Sequence, residues 1–186
     1  MSRPALYHYL PTKDAFLERL VEDFLRRDAR ALAAINQTPG LSPGERLREM
    51  AEALASSAIA NPLHARILAE NRANLPDGLA EADAEARRSI VAAIQAVVEQ
   101  GIRQGDFRPL DARVAALAII GMCLWTAWWV GEQTPQEAQL LAGQIAGQAV
   151  SSVLLIDLET APRDTAALLT LMRENLDHLD RIIHGH

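Results

Sequence analysis

The sequence predicts an all-α fold, and three observations carry that prediction. Alanine is abundant, β-branched residues are sparse and aromatic residues make up only 4% of the chain, a bias toward helix over sheet. Proline, glycine and short polar residues fall almost wholly where helices would start or stop. No segment joins period-two alternation to turn chemistry, so no strand is expected. Punctuation of this density divides the chain into about seven or eight helices.

Taken in order, Thr12 can cap a helix whose apolar residues Phe16, Leu20, Phe24, Leu32 and Ile35 recur at helical spacing, ending near Asn36. Ser42-Pro43-Gly44-Glu45 is a capping box with proline at the first helical position, and Leu47, Met50, Leu54 and Ala58 follow on one face. Asn61-Pro62 repeats the cap-plus-proline signal and opens a short helix through Ile67 and Leu68, broken at Asn74-Leu75-Pro76-Asp77-Gly78. A long helix is expected from Leu79 to Arg103, with Ile90, Ile94, Val97 and Ile102 as its stripe and Gly105 as its left-handed stop. Asp111 caps a helix that is apolar all round from Val114 to Val130. Thr134-Pro135-Gln136-Glu137 is a second capping box and opens a helix through Ile156. Ala161-Pro162 precedes a final amphipathic helix carrying Leu168, Leu171, Leu176, Leu179 and Ile183.

The chain has 186 residues, enough for one domain and a small appendage with a sizeable core. Its 49% hydrophobic content excludes a disordered polyampholyte, and its single cysteine excludes a disulfide framework or a CxxC site. No signal peptide is read at the start, so a reducing cytoplasm is the expected compartment. The net charge of −6 argues at first against nucleic acid. That average hides a gradient: from Met1 to Arg30, six basic residues face five acidic ones.

Val114 to Gly131 runs eighteen residues without a charge, yet spans only roughly 27 Å and lacks basic flanks, which argues against a membrane anchor. A helix buried on every side is one alternative. The favoured reading pairs it with the next helix, where small residues at Ala142, Gly143, Ala146, Gly147 and Ala149 permit close approach. Together they would form an isologous four-helix interface between two copies, with Trp128, Trp129, Ala142, Gly143, Ala146, Gly147 and Val150 in it. Trp125, Trp128 and Trp129 share one helical face and either fill that interface or wall an apolar ligand pocket.

The first fourteen residues change the argument. Ser2 can cap a short helix from which Arg3, Pro4, Tyr7 and His8 project together, and Lys13 opens the next helix where backbone amides hold a phosphate. Ser-Arg-Pro-Ala-Leu-Tyr-His-Tyr-Leu-Pro-Thr-Lys-Asp resembles the end of the helix-turn-helix domain of TetR-family transcriptional regulators. It matches that pattern at Leu6, Tyr7, Tyr9, Lys13 and Asp14, with Leu10 where phenylalanine is usual. The run Gly101-Ile102-Arg103-Gln104-Gly105-Asp106-Phe107-Arg108-Pro109 is similar to the turn joining two later helices in many members. The Trp-rich helix resembles a subgroup in which some regulators respond to acyl-CoA thioesters.

The resemblance implies a partial helix-turn-helix over residues 1–36 and a ligand-binding and dimerisation domain over 42–186, forming a dimeric four-helix bundle. Ser2, Arg3, Pro4, Tyr7, His8 and Lys13 would contact DNA. The two helices that precede the recognition helix in the family are missing, so this chain is expected to be truncated or differently started, with weak specific DNA binding of its own. Met50, Leu54, His64, Ile67, Leu68, Asn71, Ile94, Met122 and Trp125 are the expected effector lining. Arg66, Arg72, Arg87 and Arg88 either neutralise the phosphates of an acyl-CoA or are simply solvated.

Enzyme readings fare poorly. The five histidines show no metal-ligating spacing, there is no glycine-rich phosphate loop, and Cys123 has no basic neighbour to activate it. The expected function is therefore that of a cytoplasmic, homodimeric, ligand-responsive repressor without catalytic activity, cofactor, metal or membrane. A small hydrophobic effector, an acyl-CoA or fatty acid, would release it from operator DNA. The competing class is a stand-alone dimeric helical module that binds a ligand or partner without DNA.

Overall fold

The computed structural model describes residues 17–19 and 21–155. By internal contacts the chain divides into a unit of Met1–Leu154 and a second of Leu155–His186. The expected cap at Thr12 and the final amphipathic helix lie outside the described residues.

Local chemistry decides where the helices begin and end. A wide π-helical turn, Val21–Arg26, runs directly into α1, Arg27–Gln37. Helix α2, Pro43–Ala60, opens on the complete Ser42/Glu45 capping box: Glu45 N–H donates to Ser42 Oγ at 3.3 Å, and Ser42 N–H donates back to Glu45 Oε2 at 2.9 Å. Helix α3, Pro62–Asn71, ends in a 3-10 turn over Arg72–Asn74. Helix α4, Asp77–Gln104, stops at Gly105, whose φ of 81° is the left-handed conformation that glycine adopts without steric cost. Helix α5, Ala112–Trp129, is capped by Asp111 Oδ1 accepting from Val114 N–H at 2.9 Å. Helix α6, Pro135–Ser151, carries the second capping box at Thr134/Glu137.

Two expectations need correction. Asn61 does not cap α3; its Nδ2 donates to the Ser57 carbonyl at 3.2 Å, so the side chain closes the end of α2 instead. Nor does α6 reach Ile156. It ends at Ser151 because the chain turns to place Val153 and Leu154 against the loop after α4. There Arg108 N–H donates to the Val153 carbonyl at 3.0 Å, and the Arg108 guanidinium donates to the Ser152 carbonyl at 2.8 Å.

Helix α2 is the axis of the fold and packs against α1, α4, α5 and α6. It can do so because Leu47, Met50, Ala51, Leu54, Ala55 and Ala58 are all essentially inaccessible, covering more than one face of the helix. Each fully buried leucine or methionine contributes on the order of 1.5–3 kcal/mol. Against α2, α6 presents Ala142, Ala146 and Ala149, three fully buried small residues at helical spacing. Their small side chains let the two backbones approach closely.

Helix α5 is not buried on every side: only 28% of its residues are. By length and composition alone it could cross a membrane. Its inner face is nonetheless specified by protein contacts. Ala116, Ile119, Cys123 and Ala127 are fully buried, and Cys123 Sγ donates to the Ala51 carbonyl of α2 at 3.5 Å. The outer face leaves Val114, Leu117, Trp125, Trp128 and Trp129 exposed.

Candidate effector cavity and apolar face

A cavity of about 570 Å³ opens between the π-turn, α1, α2, α4 and α5. Its apolar wall comes from Leu25, Leu54, Ile90, Val91, Leu117, Ile120 and Leu124. Alternating register explains the set: on α5, Arg113, Leu117, Ile120 and Leu124 recur at three or four residues, and on α4, Ala84, Arg87, Arg88, Val91 and Gln95 do the same. The volume suits a small-molecule ligand.

Four guanidinium groups, from Arg72, Arg87, Arg88 and Arg113, line this cavity against a single carboxyl, Asp28. An acidic chain thus encloses a locally cationic site. Two of the arginines are held by Asp83 of α4. Arg87 Nε donates to Asp83 Oδ2 at 2.9 Å, and Arg72 Nε approaches the same oxygen at 3.6 Å. Asp83 is almost inaccessible, so its charge is confined beneath the two guanidiniums. This anchors the turn after α3 to the first half of α4 and limits where the arginines can reach.

Asp28 is the unusual member of the lining. It sits on the first turn of α1 at 5% exposure, and burial pushes its carboxyl up to about 6. A nearby Ser57 hydroxyl and the charge of Arg27 offset this only partly. Asp28 Oδ2 and Ser57 Oγ are both buried side by side, and among the described residues neither has another hydrogen-bond partner. Cys123, by contrast, is inert: burial raises its thiol to about 12, and it lies in the packed interior.

The structure distributes the residues expected from sequence into several places. Leu54 lines the cavity. Met50, Leu68 and Ile94 are core residues packed away from it. Ile67 and Met122 are partly buried and pack on the core, and His64 is half-buried on α3. Asn71 Nδ2 donates to the Ile67 carbonyl at 2.9 Å within its own helix. Trp125 is 61% exposed and stacks on Trp128 with centroids 5.3 Å apart, so it stands on the outer face of α5 rather than in the cavity. Arg72, Arg87 and Arg88 reach the cavity, whereas Arg66 Nε turns back to the Pro62 carbonyl. Leu25, Asp28 and Arg113 were missed because each reads as an ordinary residue of an amphipathic helix, and only their convergence marks them.

The expected interface residues also separate. Trp128 and Trp129 are exposed beside Val114, Leu117 and Trp125, with Leu140 of α6 exposed at 69%. Gly143 and Gly147 are partly exposed. Ala142, Ala146 and Val150 are instead buried inside the chain, because the small-residue stripe of α6 faces α2 and has no surface left to present. The residues expected to contact DNA, Ser2, Arg3, Pro4, Tyr7, His8 and Lys13, lie outside the described residues.

A helical bundle built around one central helix, with a cationic and apolar cavity beside α1, has the features of a small-molecule binding protein. Residues 40–153 match the tetracyclin repressor-like C-terminal domain, and the chain belongs to that family. Members of the TetR family are ligand-responsive DNA-binding transcriptional repressors. A TetR-family regulatory protein from Rhodococcus RHA1 shares 25% identity with a TM-score of 0.70, over 84% of this chain and 82% of that one. The ketosteroid transcriptional regulator KstR2 of Mycobacterium tuberculosis has the same fold at 20% identity and a TM-score of 0.72, covering 83% and 80%. AibR, solved with isovaleryl coenzyme A and operator DNA, aligns at 22% identity and a TM-score of 0.63, covering 83% and 81%. No curated protein sequence matches the chain.

Proposed function

We propose that the cavity between α1, α2, α4 and α5 is the effector site of this regulator, and that it takes a small amphipathic anion such as an acyl-CoA or fatty acid. The observation that carries this reading is the lining itself: four arginines, with Asp28 and Gln95, beside an apolar wall within an acidic chain. Guanidiniums recognise phosphates and carboxylates through forked hydrogen bonds, while the leucine and isoleucine wall accepts an acyl chain. That AibR was solved with isovaleryl coenzyme A agrees with this chemistry.

Residues 1–36 act as the last part of a DNA reader, and 42–186 as the sensor. Because Leu25 and Asp28 contribute to the cavity wall, an effector would touch the very segment that leads back to that reader. Ligand binding would then bias the position of the recognition helix and release the repressor from operator DNA. The protein would work in the cytoplasm as a homodimer through the exposed face of α5 and the neighbouring part of α6, by binding rather than catalysis.

Thermal denaturation in the presence of acyl-CoAs and fatty acids of graded chain length tests the effector assignment. A ligand held by the folded state at one hundred times its Kd contributes about 2.7 kcal/mol, a readily measured rise in Tm. The rise should shrink when Arg87 and Arg88 are replaced by glutamine. No shift with any thioester or fatty acid would overturn the assignment.

A further inference from the structure

We infer that the effector is a two-headed anion, an apolar chain with an anionic group at each end, held at Arg88 beside Arg87 and, at the far end of the cavity, at Arg113. This rests on the reading of the cavity as the effector site and makes its ligand class narrower. The direction of two helices sets the shape of the site. Helices α4 and α5 pack against each other across the short connection 105–111, where the Asp106 and Phe107 N–H groups donate back to the Gly101 carbonyl at 2.9 and 3.2 Å. Packed helices joined so closely run antiparallel. The start of α5 therefore lies beside the second half of α4, and its end beside the first half.

The lining residues follow that order. On α5 they run from Arg113 through Leu117 and Ile120 to Leu124, and on α4 from Gln95 through Val91 to Arg88, Arg87 and Ala84. Each set covers roughly 16 Å of helix at 1.5 Å per residue. The cavity is thus a trough with guanidiniums at both ends and an apolar middle. At the Arg88 end, Arg72 and Arg87 share Asp83, while Arg88 forms no ion pair among the described residues. Arg113, in the first turn of α5, forms none among them either. Glu99, one turn beyond Gln95 on α4, is already engaged by Gln95 Nε2 at 2.8 Å and by Arg103 at 4.0 Å. Asp28 does not serve Arg113. Its helix shares a surface hollow with the first half of α4, where Arg26 and Ala29 meet Ala82 and Glu85, so it stands toward the Arg87 end. A single anionic head meets one end of the trough and leaves the other cation unmatched beside a leucine wall. A head at each end matches both.

An extended chain advances about 1.2 Å per bond, so roughly ten to thirteen bonds separate heads held at the two ends. Isothermal titration of the full chain with dodecanoate, dodecanedioate and a series of shorter diacids tests the assignment. Dodecanedioate should bind about tenfold more tightly than dodecanoate, the return expected for a second charge-assisted contact. The gain should disappear for octanedioate measured against octanoate, because that chain is too short to reach both ends. Arg113→Gln should bring dodecanedioate down to dodecanoate, whereas Arg88→Gln should weaken both together. Both positions are exposed, so neither substitution should alter the circular dichroism spectrum. The mono-coenzyme A thioester of dodecanedioate separates the two sources of such a ligand: binding tighter than the free diacid assigns a carboxyacyl thioester, and weaker binding assigns the diacid itself. If dodecanoate binds the wild type as tightly as every diacid, or the preference survives Arg113→Gln, the two-headed ligand is overturned while the cavity assignment stands. If no acid or thioester binds at all, both fall together.

Discussion

Phe107 lies directly over Gly101, so close that a Cβ built on the glycine would overlap the aromatic ring. Phe107 is itself 2% exposed, and it begins the turn that returns to pair with Leu154 at the end of α6. The last turn of α4 can therefore accept the ring only because position 101 has no side chain. Gly101→Ala is expected to destabilise the fold by about 1–3 kcal/mol through overpacking. Urea denaturation followed by circular dichroism reads the change; an unaltered midpoint would contradict this packing.

Arg46 performs the work of a C-terminal cap for another helix. From α2, its guanidinium donates to the carbonyls of Ile35, Asn36, Thr38 and Leu41, where α1 ends and the chain reverses. The side chain is largely buried, so Arg46→Met would leave several of those carbonyls stranded. A loss of about 2–4 kcal/mol is expected, since hydrogen bonds to charged groups are worth roughly 1.5–3 kcal/mol each before relaxation. Amide hydrogen exchange adds a local test: protection should fall first in the last turn of α1.

Asp28 makes stability depend on pH in a definite direction. Its folded carboxyl titrates near 6 against an ordinary 3.8, so the folded state holds the proton more tightly than the unfolded chain does. Below about pH 4 both states are protonated and the group is neutral to folding. As pH rises from there through about 6, the native state loses stability, by up to about 3 kcal/mol for a difference of this size. Asp28→Asn should flatten that slope and raise Tm above neutrality. A wild-type slope unchanged by the substitution would remove Asp28 as its source.

The outer face of α5 predicts association. Leu117, Trp125, Trp128 and Trp129 are exposed together, and an apolar patch of this kind is uncommon on a soluble monomer. Trp125→Glu should weaken self-association at least tenfold in sedimentation equilibrium, because the charge would be buried without a partner. The helical content should be unchanged, since Trp125 is not part of the chain's own core. A wild-type chain that stays monomeric at micromolar concentration would remove the interface.

Much of the fold was legible beforehand because helix termini are local chemistry. Ser42 with Glu45, Thr134 with Glu137, Asp111 and Gly105 each act within four residues of themselves, and all four signals are realised. Asn61 failed as a predictor because two helices meet there and its amide can serve either. The cavity was less legible. Leu54 was found, but Leu25, Asp28 and Arg113 belong to different helices and have no pattern in common along the chain.

Among the described residues, the sequence by itself determined most helix starts and the stop at Gly105, since caps and periodicity are written in neighbouring residues, but not the end of α6 at Ser151. The tertiary structure alone decided which face of each helix turns inward. Small residues on α6 suit a partner helix in another copy or in the same chain, and packing on α2 chose the latter. Arginines on α4 suit solvent or a cavity, and convergence with α1 and α5 put them at the cavity. Burial is a property of contacts between distant segments, so a single helix cannot announce which of its faces will have it.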